Sequence, residues 1–118
     1  MIKRDVLFFI EDILEAAKKI MEYTKGMTYE EFRKNNLVID AVLRNLEVIG
    51  EASRNVPDDL RKLHPDVPWK RMTGLRNIAI HQYFTIDPEI IWQIVSVNVP
   101  DTEREISGIL SEIKATRE

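Results

Sequence analysis

His64-Pro-Asp-Val-Pro-Trp-Lys-Arg-Met-Thr-Gly-Leu-Arg-Asn-Ile-Ala-Ile-His-Gln-Tyr-Phe84 sets the reading of the whole chain. It holds both histidines, one of the two tryptophans and the densest mixture of cationic, aromatic and apolar side chains. Pro68 has the fixed φ that suits a first helical turn, and the pattern after it predicts a helix over 68–82. At about 100° per residue, Met72, Leu75, Ile78 and Ala79 fill one side and face a core. Arg76, Asn77, His81 and Tyr83 share an arc of about 160° on the other. Trp69, Ile80 and, if the helix persists, Phe84 project into that arc. Apolar side chains beside Arg, His and Tyr are awkward in water and make sense beneath a second subunit. The arc therefore predicts a homodimer with this face at or beside the seam.

Outward from this helix, the chain reads as helical throughout. Ile2, Val6, Phe9, Ile10, Ile13, Ala17, Ile20 and Met21 predict a long amphipathic helix over 2–23, with Glu15 and Lys19 as an i,i+4 pair, ended by Gly26. Thr28-Tyr-Glu-Glu31 is a capping box that starts a short helix near 29–34. Val38, Ala41, Val42, Leu46, Val48, Ile49 and Ala52 mark a second long helix, 37–54. Gly50 inside it costs about 1 kcal/mol relative to alanine; it reads as a packing notch against the helix that carries His81. Val56-Pro-Asp-Asp-Leu60 opens a short turn. Asp87 as N-cap and Pro88 behind it start a last long helix to about 115, with a kink or break near Asn98 imposed by Pro100 and Asp101 able to recap its second half. Lys114 to Glu118 read as frayed. The expected fold is all-α: an up-and-down bundle of four long helices plus short segments, in one domain spanning 1–118.

Composition narrows the function classes. With no cysteine among 118 residues, disulfides and thiolate chemistry are excluded. No apolar run approaches the ~20 residues of a membrane span, and Lys3, Arg4 and Asp5 interrupt any leader-like start, so a cytoplasmic protein is the expectation. A net charge of −3 argues against a general nucleic-acid coat. It leaves room for a local basic cleft from Arg61, Lys62, Lys70, Arg71 and Arg76.

Two histidines without a third ligand at metal spacing make a zinc site a poor reading, and no cofactor is expected. There is no Gly-rich phosphate loop and no nucleophile elbow. What remains is an imidazole that can take or give a proton near neutral pH, a guanidinium that binds phosphate and stabilises developing negative charge, and a phenol. Such a set suits metal-free cleavage of an RNA phosphodiester: His81 deprotonates the ribose 2′-hydroxyl and Arg76 holds the non-bridging oxygens. Geometry alone leaves alternatives open. His81 is open between a structural and a catalytic role, and His64 reads more simply as a loop residue before Pro65. Trp69 reads more simply as a core anchor, Tyr83 as a bundle-end aromatic, and the basic cluster as a solvated surface.

Arg76-Asn-Ile-Ala-Ile-His81-Gln-Tyr83 resembles the Arg-x4-His-x-Tyr signature of the HEPN superfamily, in its HepT-like toxin branch. Arg44-Asn-Leu-Glu-Val-Ile-Gly-Glu-Ala52, Pro65-Asp-Val-Pro-Trp69 with Gly74-Leu-Arg-Asn77, and Val97-Asn-Val-Pro100 resemble other stretches of that branch in order, so the likeness covers nearly the whole chain. The resemblance implies an all-α bundle that dimerises through the motif face. It implies metal-independent endoribonuclease activity resting on Arg76 and His81. It also implies a toxin–antitoxin pairing with a nucleotidyltransferase antitoxin of the MNT type, which transfers AMP to Tyr83. Beside that core, Asn77 and Glu51 stand as supporting residues and Lys70 and Arg71 as substrate-binding ones. The rival expectations are a non-catalytic helical subunit that binds nucleotide or a partner and accepts AMP, and a plain dimerisation module with Arg76 in interface ion pairs.

Overall fold

A computed structural model describes residues 4–117, with side chains described for 5–116. The helix start expected at residue 2 lies outside the described residues. In order, the elements are α1 (Arg4–Thr24), α2 (Tyr29–Arg33), α3 (Asn36–Arg54), α4 (Asp58–Leu63), α5 (Trp69–Phe84), α6 (Pro88–Gln93), a π-helical stretch (Ile94–Asn98) and α7 (Val99–Arg117). No strand occurs among the described residues. The fold is all-α, as the periodicity requires.

Local chemistry explains each boundary. Gly26 adopts φ 75°, the left-handed region in which only glycine is at ease, and ends the turn after α1. The Thr28 capping box forms in full: the Glu31 amide donates to the Thr28 hydroxyl and the Glu31 carboxylate accepts from the Thr28 amide at 2.9 Å. Asn35 caps α3 by accepting from the Val38 amide at 3.1 Å. Pro68 sits one position earlier than the sequence suggested, as the residue before α5 and not its first. Glu15 and Lys19 pair at 3.1 Å.

α3 packs against both α1 and α5, and α1 also packs against α7. The core is one cluster: Ile10, Ile13, Ala17 and Ile20 of α1, Val42, Leu46 and Ile49 of α3, Met72, Leu75 and Ala79 of α5, and Ile106, Ile109 and Ile113 of α7. At about 1.5–3 kcal/mol per buried large aliphatic side chain, this cluster dominates the stability of the bundle. Trp92 closes one end, stacked at 5.0 Å on the buried Phe32 of α2.

Pro100 does not break the last long helix. Its ring would meet the carbonyl four residues back and it offers no N–H. The backbone answers by widening. Through Ile94–Asn98 it is π-helical, and the Val99 amide donates to the Ile94 carbonyl five residues back. Asp101 is accordingly not a new cap; it lies inside the first turn of α7 and pairs with Arg104 at 2.6 Å. The helix then runs to Arg117 and does not fray from Lys114.

Candidate functional site

The site is built around α5, and α5 is anchored at both ends. At its start Trp69 is 6% exposed, and its indole N–H donates to the His64 carbonyl at 3.0 Å. Trp69 thus belongs to the core and does not project into the polar arc. At its end the buried Gln82 accepts from the Asp87 amide, which closes the turn into α6. Nothing in the sequence pattern marked Gln82, because a polar residue on a core face reads as noise until its backbone partner is placed.

In the middle, α3 approaches closely. A Cβ on Gly50 would stand 2.7 Å from the Arg76 Cβ and 2.9 Å from its Cα, so the notch is occupied by Arg76 itself. This approach brings the next residue, Glu51, within ion-pair range: its Oε2 lies 3.0 Å from Arg76 Nε. Both side chains are about half exposed, so the pair adds little stability, at most about 1 kcal/mol. Its effect is to fix the direction of the guanidinium. Asn55 is held back from the pair, since its amide donates to the Glu51 carbonyl at 2.9 Å.

Asn77 and His81 lie one turn apart on the exposed side of α5. Neither side chain has a hydrogen-bond or ion-pair partner among the described residues. Five residues separate Arg76 from His81, which sets them about 140° apart around the helix. The 160° arc of the sequence reading is therefore two faces: Arg76 turns toward the α3 seam and His81 turns outward. Tyr83 is 66% exposed and meets Phe84 edge-on, with centroids 5.2 Å apart at 85°. It also lines a groove of about 320 Å³ between α3 and α5, with Arg44, Glu47 and Ile80.

The cationic cluster separates by function. Arg61 donates to the Ser53 carbonyl at 2.6 Å and the Val56 carbonyl at 3.0 Å, capping the end of α3. Arg71 turns toward α7, where its charge acts on the Glu105 carboxyl. Burial raises that carboxyl above the ordinary range, Asp101 adds to the rise, and Arg104 and Arg71 pull it down. Arg71 is thus not brought together with Arg76. Lys70 is exposed on the same side as Asn77 and His81. His64 Nε2 lies 3.3 Å from Glu112 of α7, which makes it a strap between the α4–α5 loop and α7. Among the described residues no three His, Cys, Asp or Glu side chains converge as a metal site would require, and no helix is long and apolar enough to cross a membrane.

With this geometry in place, similarity to known proteins is informative. The sequence profile of the family described as HepT-like, ribonuclease HepT-like, matches residues 13–109. A protein of Methanocaldococcus jannaschii provisionally named an RNase is 51% identical over 106 residues, covering 90% of this chain and 97% of that one. A protein of Thermococcus cleftensis provisionally named ribonuclease HepT is 41% identical over 98 residues, covering 83% and 89%. One from Caldanaerobacter subterraneus, provisionally named an RNase, is 37% identical over 106 residues, covering 90% and 95%. No solved structure matches significantly. The matched span contains α3 and α5 with the Arg76–His81 motif, and on that ground the chain belongs to the HepT-like ribonuclease family.

Proposed function

We propose that the chain is a metal-independent endoribonuclease and the toxin of a toxin–antitoxin pair. The observation that carries this reading is the pairing, on one rigid helix, of an oriented Arg76 with a solvent-facing, unpartnered His81. His81 accepts the proton of a ribose 2′-hydroxyl as its oxygen attacks the adjacent phosphorus. The P–O5′ bond breaks, and the 5′-oxygen takes a proton from a second imidazolium. The products are a 2′,3′-cyclic phosphate and a 5′-hydroxyl. Arg76 neutralises charge on the non-bridging oxygens, Glu51 orients Arg76, Asn77 positions the strand and Lys70 binds a backbone phosphate.

Because Arg76 and His81 diverge on one helix, one protomer does not close around a single phosphate. A second copy supplies the missing imidazole across a cleft, which supports the homodimer. Ile80, 38% exposed beside the motif, supports the same seam. The test is to incubate purified protein with RNA in chelator and analyse the products. We expect cyclic-phosphate ends from the wild type, a loss of about 100-fold or more for His81→Ala and a similar loss for Arg76→Ala. Equal cleavage by His81→Ala and wild type would sink the reading.

The exposure of Tyr83 favours a second role, as acceptor of AMP from a cytoplasmic nucleotidyltransferase antitoxin. The phenolic oxygen attacks the α-phosphorus of ATP and pyrophosphate leaves. The adduct adds negative charge and bulk on the Arg76 side of α5, repelling RNA. Mass spectrometry after incubation with such a transferase and ATP tests this, and an unmodified Tyr83 overturns it.

A further inference from the structure

The groove of about 320 Å³ between α3 and α5 begins at Ile80, one helical turn beyond Arg76. The buried Leu43 and Ala79 form its floor, and the exposed Ile80, Tyr83 and Phe84 form its walls. Its volume falls within the range of about 300–1,000 Å³ usual for small-molecule pockets. An apolar floor beside an aromatic wall suits a planar ring. From Arg76 to Ile80 the helix advances about 6 Å, a distance that one nucleotide bridges from phosphate to base.

Three charged side chains rim the slot, all from α3: Asp40, Arg44 and Glu47. Arg44 has one carboxylate four residues before it and another three residues after it, and none of the three has a partner among the described residues. Spacing is not the obstacle. At the same separations Lys19 pairs with Glu15, Arg33 with Glu30 and Arg104 with Asp101. The rim thus offers a planar guanidinium with donors only and, about one turn on, a carboxylate with acceptors only. Among the bases this alternation matches guanine. Its O6 and N7 accept from an arginine, and its N1–H and N2 amine donate to a carboxylate. Adenine turns a bare N1 lone pair toward the same carboxylate and is repelled. Of the two carboxylates Glu47 lies nearer Arg76; Asp40 lies about 10 Å farther along α3, past the reach of a base whose phosphate is held at Arg76.

We propose that the α3–α5 groove is a guanine pocket that selects the base next to the scissile phosphate. Glu47 accepts from the N1–H and the N2 amine, and Arg44 donates to O6 and N7. The ring lies over Leu43 and Ala79, against Ile80 and the aromatic wall. The inference rests on the ribonuclease reading and adds its base specificity. A site built to hydrogen-bond a substrate N–H rejects the analogue that lacks it far more strongly than an apolar slot rejects a shape. The discrimination therefore resides in Glu47 more than in the floor.

The test uses the full chain and short uridine oligonucleotides that carry one guanosine, one inosine or one adenosine at the same position. Wild type is expected to cleave next to guanosine at least about tenfold faster than next to adenosine, with inosine, which lacks the N2 amine, between them. Glu47→Gln should bring the guanosine-to-adenosine ratio to within about threefold of unity and leave the adenosine rate unchanged. Arg44→Gln should lower the same ratio; an equal fall at both bases makes Arg44 a phosphate contact and overturns its part in the pocket. Neither side chain has a partner to lose, so both variants should melt as wild type does. Equal wild-type rates at guanosine and adenosine, or a preference that Glu47→Gln retains, overturn the pocket. So does a dimer that Glu47→Gln converts to monomer, which assigns the groove to a second copy. The 2′-O-methyl forms of the same oligonucleotides cannot be cleaved through the 2′-position and measure binding alone. A guanosine preference in binding that Glu47→Gln abolishes, without cleavage of unmodified RNA, keeps the pocket and removes the nuclease. Cleavage that His81→Ala abolishes but that ignores the base does the reverse. Guanosine monophosphate as competitor identifies the source of the base: affinity equal to or above that of the oligonucleotide makes the free nucleotide the ligand and overturns a pocket for RNA.

Discussion

The two sides of α5 are built to different standards. On the side facing α3, Gly50 lets the backbones meet at Arg76, Glu51 pairs with its guanidinium, and Met72, Leu75 and Ala79 are buried. On the outer side, Lys70, Asn77 and His81 have no partners among the described residues. One helix thus has a finished face and an open one. The lesson is that Arg76 and His81, five residues apart, work under different constraints. Packing and Glu51 fix Arg76, while His81 faces solvent.

Substitutions that treat the faces differently sharpen this contrast. The largest effect belongs to Gly50→Ala. The added methyl collides with the Arg76 backbone, and overpacking of this kind costs about 1–3 kcal/mol. A melting point lower by about 4 °C per kcal/mol is expected; a wild-type melt would show that the seam is looser than described. Trp69→Phe comes next. It removes the indole donor from the His64 carbonyl, which keeps the Val67 amide as a donor, and should cost about 1 kcal/mol by chemical denaturation. Glu51→Gln should cost less than about 1 kcal/mol in stability, yet lower single-turnover cleavage about tenfold or more. A parallel fall in both would make Glu51 merely structural.

The smallest effect is expected at Glu105, whose carboxyl burial raises above its ordinary value. The sign follows from linkage. A raised folded value means that stability is greatest below the unfolded pKa and is lost as pH rises through the folded one. Glu105→Gln should therefore flatten that decline and leave the neutral-pH melt equal or slightly higher. A steeper decline in the variant would contradict burial as the dominant cause.

Much of this architecture was legible before any coordinates. Three- and four-residue spacings of Ile, Leu and Val marked the long helices, and Thr28 with Glu31 announced a cap that forms as written. Gly50 read correctly as a notch because an interior glycine has few other uses. What escaped was tertiary. A count of cations does not distinguish Arg61, which reaches back eight residues to the Ser53 carbonyl, from Lys70, which faces water. A helical wheel gives angles but not the direction of the core. Trp69 and Arg76 fell into one arc with His81 until α3 was placed against them. Pro100 signalled a disturbance, but whether a helix breaks or widens depends on keeping Ile94, Val95 and Val99 buried before it and Ile106 buried after it.

The contact between Gly50 and Arg76 has a consequence for motion. Two helices touching backbone to backbone have no side-chain cushion to slide on, so α3 and α5 should open to solvent together or not at all. In hydrogen exchange their central amides would then form a single cooperative unit. Glu51 and Arg76 would separate only when that whole unit opens, and the orientation of the guanidinium would outlast the fluctuations of every loop around it.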